Sequence, residues 1–240
     1  MTGSTATLAR AVAAHAEVEV VGRIAWSSNA TFLVEVADTD HGTPIRAIYK
    51  PDAGERPLGD FPAGIWRREI AAYELARALG WDCIPETVRL DGPLGEGSLQ
   101  RFVEVDYDDH YFTMIEEDDP ALEVQLRRLC CFDLVANNTD RKSGHCLLDA
   151  DRHVWGIDNA LCFHAQFKLR TVIWDFAGEP IDALLLDDLT GLLDAGLPDA
   201  FDELLDPFER DALCTRVHAV VRDGTFPHDT TGRRYPWPLV

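Results

Sequence analysis

The order of hydrophobic periods along the chain constrains the fold more than any other feature. Before Val105 the apolar residues come mostly in short runs rich in β-branched and aromatic side chains; after it they recur mainly at helical spacing. Val18 to Ile24 and Thr31 to Val36 are two such runs, and the polar turn Ser27-Ser28-Asn29-Ala30 between them predicts a hairpin. Ile45 to Tyr49 is a third strand ending at Lys50-Pro51, followed by a Gly- and Pro-containing loop from Asp52 to Gly64. Trp66 to Leu79 carries Ile70, Tyr73, Leu75, Ala78 and Leu79 near helical spacing and stops at Gly80. Thr87 to Leu90 and Leu99 to Val105 are predicted strands around an Asp-Gly-Pro turn. Pro120 to Ala136 is predicted helix, with Leu122, Leu126, Leu129 and Phe132 to Leu134 on its apolar side. Asn137 to Gly144 is polar and irregular, Cys146 to Leu148 and His153 to Ile157 form a second hairpin around Asp149-Ala150-Asp151, and the chain from Ile181 reads as acidic helix. The expected fold class is α+β: a small strand-rich N-lobe over residues 1–105 and a larger, mainly helical C-lobe over 106–240.

Charge and composition narrow the function. The chain has 22 Lys and Arg against 42 Asp and Glu, a formal charge of −20. A nucleic-acid partner needs a basic face to neutralise phosphates, so none is expected. The apolar fraction of 46% is too high for a disordered chain. No apolar run approaches the roughly 20 residues of a membrane span, and the paired basics Arg67-Arg68, Arg127-Arg128 and Arg233-Arg234 make no cluster that would hold an anionic membrane, so no stable membrane insertion is expected. The first twenty residues lack a sustained apolar core, which argues against a signal peptide. Six scattered Cys without a C-x-x-C pair fit reduced thiols and a cytoplasmic location.

Several polar residues sit where phosphoryl transfer would need them. That chemistry requires a cation on the phosphates, oxygen ligands for a divalent metal and a carboxylate to orient the attacking hydroxyl. Lys50, at the end of a strand, offers the cation, and Glu69 on the next helix offers its counter-ion; each also reads as a solvated surface residue. Ser27, Ser28 and Asn29 occupy a hairpin tip whose backbone N–H groups can cap phosphates, although the tip has no Gly and also reads as a plain turn. Asp140 follows an apolar helix and Asp158 follows the second hairpin, so the two carboxylates flank one hairpin and can share a site; both also suit ordinary Asx-turns.

In order along the chain, these segments resemble the phosphatidylinositol 3/4-kinase superfamily, most closely the type II phosphatidylinositol 4-kinases. Ser27-Ser28-Asn29-Ala30-Thr31-Phe32 is similar to that family's Ser-Ser-Gly-Ser-Tyr-Phe loop. Tyr49-Lys50-Pro51 with Glu55, Pro57 and Gly59 resembles its Phe-Lys-Pro and trailing Glu-x-Pro-x-Gly. Gly97-Ser98-Leu99-Gln100-Arg101-Phe102-Val103-Glu104 resembles its hinge, Asn138-Thr139-Asp140-Arg141 its catalytic loop, and Ile157-Asp158-Asn159-Ala160-Leu161 its metal-binding Ile-Asp-Asn-Gly-Leu. A group of actinobacterial proteins described as phosphatidylinositol kinases is similar over nearly the whole chain. The resemblance implies a bilobal, protein-kinase-like fold and an ATP-dependent kinase using Mg2+ or Mn2+. ATP would lie between the lobes, with Lys50 on its phosphates and Phe102, Val103 and Glu104 offering backbone groups to adenine. Asp140 would be the catalytic Asp, Arg141 would support its loop and Asp158 would bind metal.

Two departures matter. The family has an Asn metal ligand five residues after its catalytic Asp, and His145 stands there; imidazole is a poor magnesium ligand, so the readings are a manganese ligand, a phosphate contact when charged, an empty metal site, or a structural His. Asn29 replaces a loop Gly, which restricts close backbone approach. In the family's substrate-selecting segment, Lys168 and Arg170 alternate with apolar neighbours and on extended chain would face one side, suiting an anionic acceptor; they also read as ordinary surface cations. The hydroxyl acceptor is an inositol lipid, a small metabolite or a protein, and a protein partner is compatible with the acidic helical tail. A non-catalytic nucleotide-binding regulator and a nucleotidyl (AMP) transferase are the alternative functions.

Overall fold

The computed structural model describes residues 7–25, 27, 29–37 and 42–239. The strand pattern of the first third is realised as one antiparallel sheet in the order β1-β2-β3-β5-β4. Its strands are β1 (Val18–Arg23), β2 (Phe32–Val36), β3 (Ile45–Pro51), β4 (Thr87–Gly92) and β5 (Gly95–Arg101). Alternation along β3 buries Ile45, Ala47 and Tyr49 and turns Lys50 to the opposite face. Val34, Val36, Leu90 and Leu99 complete this core, together with Leu8 from the short helix α1 (Leu8–Ala13). Thr7 caps α1 by accepting from the Arg10 N–H. This helix carries no periodic signature in a run of Ala and polar residues, and the sequence does not announce it.

One predicted strand is corrected. β5 covers Gly95–Arg101 rather than Leu99 to Val105, so Phe102, Val103 and Glu104 lie past its end in irregular chain. Low β propensity disguised residues 95–98. The glycine is required there: a Cβ on Gly97 would come within 2.2 Å of the Lys50 carbonyl oxygen, and Pro51 pairs with Gly97 in the ladder.

Two compact units result. The first is the chain up to Ile70 with Pro85–Phe102; the second is Ala71–Ile84 with the chain from Val103 onward. The division therefore differs from a single cut at 105/106. Helix α2 (Trp66–Ala78) gives residues 66–70 to the first unit and the remainder to the second, whose core takes up Ala72, Leu75, Ala76 and Leu79.

The second unit is built on the helix read from the leucine spacing. After α3 (Tyr111–Glu116), α4 (Pro120–Ala136) starts on an Asp119 cap with Pro at its first turn and ends on Asn137 in the left-handed conformation. Leu122, Leu126, Leu129 and Phe132 are buried. The hairpin β6 (Cys146–Leu148) and β7 (Val154–Gly156) follows. Then come α5 (Ala183–Ala195), α6 (Phe201–Leu204) and α7 (Pro207–Asp223). Leu185, Leu189 and Leu192 on α5 and Leu213, Val217 and Val220 on α7 form matching i, i+4, i+7 stripes, and the two helices pack together.

Candidate functional site

In the first unit Lys50 forms an ion pair with Glu69, which is itself buried. The pairing expected from the sequence is present. Helix α2, which carries Glu69, is held by Glu55: its carboxylate accepts from the N–H groups of Gly64 (2.9 Å), Ile65 (3.0 Å) and Trp66 (2.7 Å). These are orphan donors at a helix start, where a negative charge is favoured. The Trp66 indole adds a bond to Asp52 (2.9 Å). The chain just after Lys50 also pins the hairpin tip: Ala30 N–H donates to Gly54 O (3.0 Å), and Arg56 N–H to Asn29 Oδ1 (3.0 Å). Ser27 Oγ lies 2.7 Å from Thr31 Oγ1; Ser28 lies outside the described residues. Asn29 thus spends its side chain on the loop. Phe102 N–H is taken by Arg46 O (3.0 Å), and its ring lies 4.4 Å beneath the Arg46 guanidinium. Val103 is half-buried and Glu104 exposed.

In the second unit the loop after α4 turns adjacent residues to opposite sides. Arg141 is fully buried: it donates to both Asp133 oxygens (2.9–3.1 Å), to Asn159 Oδ1 (2.7 Å), Ile157 O (2.6 Å) and His145 O (3.2 Å). Burial alone would lower its pKa, but the Asp133 carboxylate outweighs this and holds it above the ordinary arginine value. Asn138 closes the network, donating to Asp133 Oδ1 (3.1 Å) and accepting from Asp140 N–H (2.9 Å). Gly156 makes room: a Cβ there would meet Leu129 Cδ1 at 2.6 Å and Arg141 Nη2 at 3.2 Å. Arg141 therefore positions the loop and presents nothing to solvent.

Asp140 faces the other way, its side chain 25% exposed, with Lys142 Nζ 2.5 Å from its Oδ2. Burial raises its pKa, Lys142 opposes the rise and Asp158 adds to it. His145 Nδ1 is 3.0 Å from Asp140 O, and its Nε2 is 3.4 Å from Asp158 Oδ2. Asp158 is 46% exposed and holds φ at 57°, a left-handed conformation that costs energy in an L residue and concentrates at functional sites. Asp140, His145 and Asp158 are thus brought together, as the sequence order predicts. With one ring nitrogen on the loop carbonyl, His145 turns only Nε2 toward the carboxylate. Among the described residues no group of three or more His, Cys, Asp or Glu could hold a metal ion. Asp140 Oδ2 is engaged by Lys142 and His145 Nε2 by Asp158, so these three side chains do not make a ready three-ligand set.

Lys168 and Arg170 flank buried Leu169 on irregular chain bonded to this loop. Asn137 latches the segment, donating to His164 O (2.8 Å) and Gln166 O (2.7 Å) and accepting from Lys168 N–H (2.8 Å). Backbone bonds join Arg170 N–H to Asn138 O (2.9 Å) and Arg141 N–H to Arg170 O (3.0 Å). Lys168 Nζ lies 3.1 Å from His164 Nε2. Sequence reasoning gave no role to Asp133, Asn137 or Lys142, and met Asn138 and Asn159 only as letters of the two motifs. A signal existed for Asp133: an acid among apolar residues near a helix C-terminus opposes the helix dipole and demands a buried cation.

A relative makes the family plain. Protein Rv2133c of Mycobacterium tuberculosis is 37% identical over 263 aligned positions, covering 95% of this chain and 94% of that protein. The chain belongs to the family of Protein Rv2133c. No model of a known protein family matches it. Among solved structures, hydra Fam20, determined with a sugar, is similar over 96% of this chain and 95% of its own, with a TM-score of 0.60 at 13% identity. The Helicobacter pylori proinflammatory kinase CtkA aligns over 88% of this chain and 93% of its own, at a TM-score of 0.48 and 14% identity. The likeness to Fam20 is one of fold: this chain has the α+β, kinase-like layout expected from the sequence.

Proposed function

We propose that this chain is an ATP- and metal-dependent phosphotransferase to a hydroxyl group, related in chemistry to the phosphatidylinositol 3/4-kinases. The observation that carries the reading is the juxtaposition of Asp140, His145 and Asp158 on a loop locked by the buried Arg141–Asp133 pair. The kinase-like fold supports it. Lys50, kept in place by Glu69, binds the ATP phosphates. Asp140 orients the acceptor hydroxyl and takes up its proton, a role suited to a carboxylate whose affinity for protons burial has raised. Asp158, with His145 Nε2 beside it, would hold Mg2+ or Mn2+. The metal, when bound, neutralises charge on the transferred phosphoryl group. Val103 and Glu104 supply backbone groups to adenine. Lys168 and Arg170 face an anionic acceptor, whether inositol lipid, metabolite or protein. A charge of −20 disfavours residence at an anionic membrane surface.

A second reading has one observation behind it. His145 Nδ1 lies on the loop carbonyl, so the loop lacks the Asn that the resemblance leads one to expect as a ligand. A chain that binds nucleotide without turning it over would follow. Intact mass of the protein and ATP consumption, measured with Mg2+ and with Mn2+, separate the readings. Phosphate on the protein or released to solution supports phosphoryl transfer. An AMP adduct indicates nucleotidyl transfer, and binding without either product makes the chain a regulator.

A further inference from the structure

The segment that carries Lys168 and Arg170 has neither helix nor strand between Ile157 and Asp182. Whatever fixes it must come from outside. On one side the loop at Asn137–Arg141 does so, through the bonds described above. On the other side stands the C-terminal segment. Arg234 O accepts from Thr171 N–H (3.0 Å) and from the Trp174 indole N–H (3.3 Å). The Arg234 guanidinium lies 4.8 Å over the Phe167 ring. The same segment reaches the catalytic loop, where Leu239 O accepts from Ser143 N–H (2.8 Å).

Its own fold is set by Asp229. That carboxylate accepts from Thr231 N–H (2.9 Å), Thr231 Oγ1 (2.7 Å) and Arg234 N–H (3.0 Å), so a tight loop delivers Arg234 to its two acceptor-side partners. Thr171, which Arg234 holds, bridges in parallel to Arg141. A continuous set of backbone bonds therefore runs from the tail through the acceptor segment to the residue beside Asp140.

We propose that Asp229–Leu239 is a strap that positions the acceptor side of the site, with Arg234 as its positioning residue. The proposal rests on the phosphotransferase reading. Arg234 touches no reacting group; it acts by fixing Phe167–Trp174, and thereby Lys168 and Arg170, against the Asp140 loop. The strap meets the hydrophobic core through Leu239, whereas Asp229 and Arg234 lie outside that cluster, so the turn at 229–234 can loosen while the unit stays folded.

The test uses the full chain with Arg234→Ala, Asp229→Ala and the conservative Arg234→Lys. Amide exchange at Thr171 and Ser143 is expected to rise about tenfold or more in the two Ala variants, with amides inside α4 and α7 unchanged. Phosphate release from ATP and manganese, with water as acceptor, is expected to fall about tenfold in the same variants, while the nucleotide-induced rise in Tm is retained. Arg234→Lys, which keeps a cation on Phe167, restores most of both. Unchanged exchange at Thr171 overturns the strap, and so does faster exchange with undiminished turnover. Should one Ala variant fail to fold, the other and Arg234→Lys decide. Asp140→Asn separates the two claims: it abolishes turnover without altering exchange at Thr171 if the phosphotransferase reading holds. A native chain that consumes no ATP removes that reading and the strap's role with it.

Discussion

The two units hold their candidate residues by opposite means. In the first unit a partly exposed Lys50 leans on Glu69, and the support behind it is a helix cap, Glu55 on three backbone N–H groups, with a glycine-assisted strand pairing. In the second unit the support is a charge pair with no exposure, Arg141 on Asp133, whose remaining hydrogens go to Asn159 and two carbonyls. Caps and strand pairings are replaceable increments, each about 1 kcal/mol. A buried ion pair is not: removing one partner strands the other in a medium that penalises it by about 3–5 kcal/mol. The carboxylate side should therefore be brittle toward changes in its support and the lysine side tolerant.

The sharpest break of this contrast is Arg141→Ala. It is expected to lower stability by about 3–5 kcal/mol, read as a fall in the urea midpoint or a loss of soluble protein. A native-like midpoint would show that the buried network is dispensable. Next come Asp140→Asn and Asp158→Asn, which should reduce phosphate transfer by about 10²–10⁴-fold with the fold intact. Glu55→Ala should cost about 1–2 kcal/mol and weaken nucleotide binding through α2. A loss as large as that of Arg141→Ala would erase the distinction between the halves.

The smallest effect is one of pH. Asp140 has a raised pKa, so the deprotonated form needed for proton uptake disappears as pH falls through that raised value, and turnover falls with it. Stability runs the other way. The contribution of a carboxyl with raised folded pKa is present below its unfolded pKa and is lost as pH rises through the folded one. Asp140→Asn should thus leave Tm at pH 7 equal to or slightly above the native value, and a clear drop would mean that Asp140 is structural.

What the sequence disclosed follows the same division. Periodicity exposed β2, α2 and α4 because each buries one face against a core, whereas β1 was read from its β-branched run although nearly all of it is exposed. It misplaced β5, since residues 95–98 are selected for close backbone approach rather than for strand propensity. The residues placed in the site were legible as polar positions flanking a hairpin. Their supports were not. Asp133 left a trace as an acid in an apolar helix end, but Asn137 acts through partners at positions 164–168, and no local pattern reports a hydrogen bond made across that span. Arg141, which the resemblance gave as a support for the Asp140 loop, lies fully buried beneath it.

The most direct measurement is calorimetric titration of a non-hydrolysable ATP analogue with Mn2+ into the native chain, Lys50→Met and Asp158→Asn. The expected result is metal-dependent binding to the native protein and a loss of about tenfold or more in affinity in each variant, with Tm preserved in both. Native-like affinity in both variants, or no binding by the native chain with any divalent metal, would contradict the proposed function.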